Sequence, residues 1–95
     1  MPTKINQIDS DDGFTTLLRV EGEMMLDDAM LLERLTIQMR SAGPREIVID
    51  LADLDFLDSD AAPILKRLER IDRVSISGIE IFLQSVVNHA ERGSL

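Results

Sequence analysis

The chain has 95 residues, of which 44% are hydrophobic and none is cysteine, so we expect one domain over residues 1–95 without disulfides or thiolate chemistry. Its formal net charge of −8 at pH 7 disfavours nucleic acid and anionic membrane surfaces as partners. The N-terminal residues lack the apolar run of a signal peptide, and no apolar stretch approaches the roughly 20 residues of a membrane span, so we expect a cytoplasmic protein.

The beginning of the chain predicts a β-hairpin. Residues 3–8 alternate weakly between apolar and polar side chains, as a short edge strand does. Residues 10–13, Ser-Asp-Asp-Gly, are typical of a turn. A second strand is predicted over residues 14–21, with one face formed by Phe14, Thr16, Leu18 and Val20.

A helix is predicted over residues 28–41. Gly22 breaks the preceding strand pattern, and Asp27 or Asp28 provides an N-cap and a first-turn acid. Residues at helical spacing predict its buried stripe, namely Ala29, Leu32, Leu35, Met39 and Ala42. The Gly-Pro pair at residues 43–44 ends this helix.

The middle of the chain predicts a strand and a second helix. Residues 47–49, Ile-Val-Ile, have no polar face, which predicts a strand covered on both sides by helices. The second helix is predicted from about residue 60 to residue 72. Its inward apolar positions are Ala61, Ile64, Leu65, Leu68 and Ile71. Pro63 fits a first helical turn, where its missing N–H costs no bond, so Asp60 or Ser59 is predicted to begin the helix.

Residues 77–83 predict a further strand, and residues 85–92 predict a short final helix. The predicted order is therefore β-β-α-β-α-β-α. Helical crossovers place the later strands parallel to their neighbours, whereas the N-terminal hairpin is antiparallel. The predicted fold class is α/β, with one mixed sheet and helices packed on it.

Acidic side chains are concentrated in the first two thirds of the chain. Residues 1–60 carry 5 basic and 14 acidic side chains, whereas residues 61–95 carry 5 basic and 4 acidic ones. A basic protein partner for the acidic part is one interpretation, and a solvated acidic surface is the other.

The acids of residues 50–60 first suggest a metal site. Five aspartates could supply hard oxygen ligands: Asp50, Asp53, Asp55, Asp58 and Asp60. An EF-hand loop starting at Asp53 would place Asp58 where glycine is needed and Ile64 where glutamate is needed. A strand-end phosphatase motif would need its second aspartate at Ala52. We therefore expect no metal and no cofactor.

The catalytic interpretations each lack a required group. Ser59 would need a base to become a nucleophile, and the single histidine, His89, lies on the predicted final helix. The chain is too short for a receiver domain with Asp50 as phosphoacceptor. The scattered glycines offer no phosphate cradle. We expect a protein that is not an enzyme, with a small hydrolase using Ser59 as the least favoured alternative.

Two surface features remain open. Residues 24–26, Met-Met-Leu, could form an exposed contact for a partner, although composition favours packing in the core or a loop. The second helix has a basic face that could meet an acidic partner or be a solvated face with internal ion pairs. Its members are Lys66, Arg67, Arg70 and Arg73.

Residues 47–62 resemble the signature of STAS domains, the fold of anti-sigma factor antagonists. The family pattern is an apolar strand ending in Asp-Leu, a short acidic and apolar connection, and Asp-Ser-Ser/Thr-Gly-Leu opening a helix. Here Asp50 and Leu51 end the strand, and Asp58 and Ser59 begin the second motif. Residues 20–23, Val-Glu-Gly-Glu, resemble the family's strand end before its first helix. The resemblance covers nearly the whole chain and implies a SpoIIAA-like mixed sheet.

The resemblance also implies partner switching. In this family an unphosphorylated antagonist binds an anti-sigma factor that is also a serine kinase, and phosphorylation at the helix N-terminus ends the interaction. Asp60 occupies the usual phosphoacceptor position, and Ala61 replaces the glycine. The implied switch residues are Ser59 and Asp60. The implied partner-binding residues are Asp55, Phe56, Asp58, Ser59, Asp60, Ala61 and Ile64.

The acid at position 60 leaves several interpretations. The protein is locked in a phosphorylated-like state, or it uses Ser59 instead, or it has left the phosphoswitch altogether. In the last case it is an interaction subunit of a transporter or of a sensory, stressosome-like assembly. Ser59 and Asp60 could also serve only to cap the helix, a role that both residue types favour.

Overall fold

The computed structural model describes residues 3–78. Its elements are β1 (Lys4–Asp9), β2 (Thr15–Met24), α1 (Leu26–Ala42), β3 (Glu46–Asp50), β4 (Leu54–Leu57), α2 (Ala62–Glu69) and β5 (Val74–Ser77). The predicted strand over residues 77–83 lies mostly outside the described residues, and the predicted helix over residues 85–92 lies wholly outside them.

One mixed sheet organises these elements. Its five strands have the order β1-β2-β3-β5, and β4 pairs with β2 off this path. β1 and β2 form the predicted antiparallel hairpin, whereas β3 is parallel to both β2 and β5. β2 pairs with β3 through residues 15–19 and with β4 through residues 22–24. The mixed α/β class with an antiparallel hairpin is confirmed.

The hairpin turn is held by its own polar side chains. Asp12 accepts hydrogen bonds from the Ser10 hydroxyl and from the Phe14 N–H, and both bonds lower the pKa of the Asp12 carboxyl. Gly13 has a φ of 75°, which favours glycine. This turn leaves Phe14 before β2 and 66% exposed. The prediction that the second strand begins at Phe14 is therefore wrong.

Both described helices pack on one face of the sheet. The core joins Ala29 and Leu32 of α1 and Leu65 and Leu68 of α2 to alternate residues of the strands. Those strand residues are Leu18, Val20, Ile47 and Ile49. Val48, between two of them, is only half-buried. Of the helices predicted to pack on the sheet, the two described ones lie on one side of β3, and the predicted helix over residues 85–92 lies outside the described residues.

α1 begins earlier than predicted. The predicted break at Gly22 is a register shift within β2, where Gly22 has a φ of 87°, and the strand continues to Met24. Met25 is the N-cap, and its N–H donates to the Asp28 carboxylate at 3.0 Å. Asp28 is therefore the third helical residue, where its carboxylate accepts the N–H of the N-cap, and it is not the predicted N-cap.

The buried stripe of α1 is narrower than predicted. Ala29 and Leu32 are fully buried, whereas Leu35 and Met39 are half-buried and Ala42 is exposed. Thr36 is fully buried, because its hydroxyl donates to the Leu32 carbonyl at 2.8 Å and needs no water. Neither helix of the described residues has the length and apolar character needed to cross a membrane.

Two strands differ from the predictions. β4 lies in the acidic segment that is predicted to be a turn. β5 begins at Val74, three residues before the predicted strand, because α2 ends at Glu69 rather than near residue 72. Arg73 has a φ of 64° and turns the chain into β5, so that Val74 packs in the core at 7% exposure.

Asp9 is expected to make folding depend on pH. The Thr16 hydroxyl donates to Asp9 at 2.8 Å, and Arg45 lies 3.5 Å from the same oxygen. The Thr16 hydrogen bond is the largest cause that lowers the pKa of Asp9, with Gln7 and Arg45 adding to it. A lowered folded-state pKa stabilises the fold above the unfolded-state pKa, and this contribution disappears as pH falls through the folded-state pKa.

We therefore expect Asp9→Asn to lower the free energy of unfolding at about pH 7, and we expect this difference to shrink as the pH falls through the folded-state pKa of Asp9. Urea unfolding of both proteins from about pH 7 downwards measures it. Thr16→Val should remove part of the same pH dependence, because it deletes the hydroxyl donor. Parallel stability curves for wild type and Asp9→Asn over the whole range would contradict the assignment.

Candidate functional site

Two connections leave the sheet side by side at the carboxyl ends of β2 and β4. Met24 pairs with Leu57 in the parallel register, and the Asp58 N–H donates to the Met24 carbonyl at 2.8 Å. The start of α1 and the turn before α2 are therefore neighbours. Carboxyl ends of parallel strands are where binding sites form in open α/β sheets. We call residues 58–61 the α2 turn.

Asp58 fixes the conformation of the α2 turn. Its carboxylate oxygen Oδ1 accepts from the Asp60 N–H at 3.1 Å, and its carbonyl accepts from the Ala61 N–H at 2.9 Å. Aspartate commonly closes turns in this way. Together with its bond to Met24, Asp58 holds the turn by three hydrogen bonds and is itself half-buried.

α2 begins at Ala62, after the turn has closed. Ala61 is its N-cap and makes no side-chain capping bond, and its carbonyl accepts from Ile64 at 3.1 Å and Leu65 at 3.2 Å. The prediction that Asp60 or Ser59 begins the helix is wrong, because the Asp58 carboxylate takes the Asp60 N–H and the helix starts only at the buried Ala61. Pro63 is the second helical residue, where it costs no bond, as predicted.

The predicted site residues separate into exposed and buried sets. Asp55, Ser59 and Asp60 are exposed, and Phe56 is 47% exposed. In contrast, Ala61 is fully buried and Ile64 is 5% exposed. The structure thus brings the exposed set together on β4 and the α2 turn. Ala61 and Ile64 anchor that turn to the core and do not face solvent.

The acids of this region do not form a donor set for a metal. In the described part of the chain, no three potential ligating side chains come together to hold an ion. Asp50 has a structural role, since it accepts from the Ala52 N–H at 3.0 Å and lies 3.6 Å from Arg19 Nε. Its contact with Arg19 crosses from β3 to β2, a pairing that sequence spacing does not reveal.

One arginine of the basic face of α2 forms an ion pair with an acid of α1. Arg67 donates to both carboxylate oxygens of Glu33 on α1, at 2.9 and 2.8 Å. This bidentate pair raises the pKa of Arg67, mainly through the hydrogen bonds. The pair links the two helices and helps to fix the orientation of α2 behind its turn.

Residues 24–26 divide between core and surface. Met24 is fully buried, whereas Met25 is 44% and Leu26 is 37% exposed. The predicted packing therefore holds for Met24 alone. The sequence signal that could have separated them is the parity of β2, which places Met24 on the same face as Leu18 and Val20.

No protein-family model matches the sequence, and no curated protein matches it. Solved structures do match the fold. An antisigma-factor antagonist STAS domain from Rhodobacter sphaeroides has a TM-score of 0.60 and 20% identity over 82% of this chain and 88% of that one. An anti-sigma factor antagonist from Mycobacterium paratuberculosis has a TM-score of 0.64 and 21% identity, over 93% and 82%.

A protein from Shewanella loihica with a SpoIIAA-like fold matches with a TM-score of 0.54 and 26% identity, over 90% of this chain and 76% of that one. The chain therefore has the SpoIIAA-like fold that is found in STAS-domain anti-sigma factor antagonists.

Proposed function

We propose that this chain is a regulatory protein-binding module that acts as anti-sigma factor antagonists do, through the α2 turn. The observation that supports this most is the exposure of Ser59 and Asp60 on a turn whose backbone is fixed by Asp58. A fixed turn loses little conformational entropy when a partner binds. The resemblance to antagonists suggests the partner, an anti-sigma factor with serine kinase activity.

Asp60 gives the α2 turn a fixed negative charge at the position where related antagonists are phosphorylated. A carboxylate at the acceptor position cannot be phosphorylated by a serine kinase, and it carries one fixed negative charge, against about −1.5 to −2 for phosphoserine at neutral pH. Its side chain is exposed and does not cap α2. We propose that the wild-type turn mimics the phosphorylated form, in which an antagonist has released the kinase.

A second candidate function rests on the same residue. If Asp60 has removed the phosphoswitch without mimicking phosphate, the chain is a constitutive interaction subunit of a transporter or sensory assembly. The two candidates differ in what Asp60→Ser does: it restores binding to a serine kinase in the first case and changes nothing in the second.

We propose that this chain has no enzymatic activity. The antagonist-like fold is generally non-catalytic. A hydrolase built on Ser59 needs a base within hydrogen-bond reach, and His89 lies outside the described residues.

The test is a pull-down with an anti-sigma serine kinase encoded in the same genome, using wild type, Asp60→Ser and Ser59→Ala. We expect Asp60→Ser to retain the kinase and the other two proteins not to do so. Intact-mass measurement after incubation with the kinase and ATP should show one phosphate on Asp60→Ser. Equal recovery of the kinase by wild type and Asp60→Ser would contradict the phosphate-mimic proposal.

A further inference from the structure

β1 forms one edge of the sheet. Within residues 3–78 it pairs with β2 on one side, and no described strand lies on its other side. Its four central residues, 5–8, carry no charge. We propose that β1 pairs antiparallel with β1 of a second copy of the chain, so that two sheets join into one across a two-fold axis. This inference goes beyond the proposed function and uses no residue of the α2 turn.

Alternate residues of β1 direct their backbone polar groups away from β2. The Ser10 N–H donates to the Thr15 carbonyl at 2.9 Å, and the antiparallel register continues from this pair along β1. Hydrogen-bonded positions alternate in an antiparallel pair, so every second residue before Ser10 bonds to β2. The residues between them, Ile5, Gln7 and Asp9, therefore direct their N–H and C=O groups to the outer edge, where a further strand can bond to them.

A groove between β1 and α1 would receive side chains of the added strand. Its volume is about 320 Å³, and the apolar side chains that line it are Ile5, Leu18, Leu31, Leu35 and Met39. Leu31 is 47% exposed, and Ile5 and Leu35 are half-buried. Side chains on one face of the added strand would cover this surface, and apolar area removed from water contributes about 25 cal/mol per Å².

Two-fold symmetry restricts the register of the new strand pair. An antiparallel pair of identical strands has its axis perpendicular to the sheet, so the helices of both copies lie on the same face and opposed residues share a face. A register centred on Asn6 pairs residues 3–9 of both copies and sets Ile5 against Gln7 of the second copy. A register centred on Gln7 would instead bring the Asp9 carboxylate opposite Ile5, in the apolar groove, which is unfavourable.

The charges at the two ends of β1 favour a second copy in the antiparallel direction. Lys4 is exposed at the start of the strand, whereas Asp9, Asp11 and Asp12 are exposed at its end and in the following turn. Antiparallel pairing brings Lys4 of each copy towards the acidic turn of the other, whereas parallel pairing would bring like charges together. This complementarity offsets part of the repulsion between two chains that each carry a net charge of −8.

The pairing leaves both α2 turns free. The start of β1 lies beside the end of β2, since Lys4 pairs with Glu21, and residues 22–24 of β2 pair with β4, which leads into the α2 turn. Because the two copies run in opposite directions, their α2 turns lie at opposite ends of the dimer. The dimer would therefore present two separate turns to partners.

Sedimentation velocity of the full chain over a wide range of concentrations tests the pairing. We expect a monomer–dimer equilibrium without larger species, because the pairing occupies the β1 edge of both copies. Gln7→Pro should raise the dissociation constant by about tenfold or more, since it removes an outward N–H without removing a bond to β2. Gln7→Ala is the matched control: it keeps this N–H and should change the dissociation constant by less than about threefold. Urea unfolding checks that both variants are folded.

Introduced cysteines report the register, because the chain has no cysteine of its own. Asn6→Cys would place two thiols opposite each other at the axis, with Cα atoms about 4.5 Å apart, which a disulfide can span. Ile8→Cys is the matched control. Ile8 is 46% exposed, but its two copies would lie about 14 Å apart. In a glutathione redox buffer we expect a disulfide-linked dimer of Asn6→Cys and none of Ile8→Cys.

The inference is overturned if the wild-type chain stays monomeric at every concentration and Asn6→Cys stays reduced, which is also the outcome if another part of the chain covers β1. Equal cross-linking of the two cysteine variants, equal dissociation constants for the two Gln7 variants, or species larger than a dimer would each overturn it as well. The proposed function fails separately, when Asp60→Ser gains no kinase, whatever the state of association at β1.

Discussion

Replacing Leu32 by alanine is expected to lower the free energy of unfolding by about 2–5 kcal/mol. Leu32 is fully buried in the cluster that joins α1 to the sheet and to α2. Truncation removes buried methyl groups and leaves a cavity whose walls relax only partly. Because small domains have net stabilities of about 5–15 kcal/mol, this loss should be visible as a large shift of the urea midpoint.

Leu31→Ala is the matched control for this prediction. Leu31 is the same residue type on the same helix, but it is 47% exposed. We expect it to cost less than about 1 kcal/mol, as substitutions of exposed residues do. Equal losses for the two variants would mean that α1 does not face the sheet as described.

Replacing Gly78 by alanine is expected to cost about 2–4 kcal/mol. Gly78 has a φ of 78°, which strains any residue with a Cβ atom. In addition, an added Cβ would lie 2.6 Å from the Ala52 backbone nitrogen and 2.9 Å from its Cα. The backbone would have to move where β5 ends against the connection from β3 to β4.

Gly13→Ala separates these two causes. Gly13 has a φ of 75°, and a Cβ there would meet nothing within 4 Å. Its substitution should therefore cost only the backbone strain, about 1–2 kcal/mol. Chemical denaturation of both variants gives the difference, which we expect to be at least about 1 kcal/mol. Equal destabilisation would show that Gly78 does not lie against Ala52.

Local patterns were sufficient to predict the hairpin and the inner face of α2. The Asp-Asp-Gly turn closes β1 onto β2, and alternation along β2 correctly predicted that Leu18 and Val20 share one face, which is the buried one. Helical spacing correctly predicted the burial of Leu65 and Leu68 on α2. These features depend on side-chain periodicity and turn chemistry, which are local properties of the sequence.

β4 could not be predicted because its pairing is not local. The strand is four residues long, and its apolar residues Leu54, Phe56 and Leu57 surround the single acid Asp55, which is too short a pattern to predict a strand. It exists because β2 is long enough to pair with β3 first and with β4 beyond it. The sequence predicts the end of a strand at Gly22, where the structure has the register shift that permits this pairing.

The candidate site was predicted as a segment but not in its details. The acidic connection before α2 does contain an exposed Ser59 and Asp60. The helix begins at Ala62 because Asp58 closes the turn by accepting hydrogen bonds from the Asp60 and Ala61 N–H groups. This closure depends on the three-dimensional structure and cannot be predicted from the local sequence pattern. The exposure of Met25 beside the buried Met24 follows from where β2 ends, and sequence composition favoured the opposite.

The most direct test of the proposed function is the equilibrium binding of an anti-sigma serine kinase to three versions of this chain. These are wild type, Asp60→Ser, and Asp53→Ser, which removes an exposed carboxylate from the connection before β4. We expect Asp60→Ser to bind the kinase at least about tenfold more tightly than wild type, and Asp53→Ser to stay within about twofold. Equal affinities for wild type and Asp60→Ser would contradict a switch at the α2 turn.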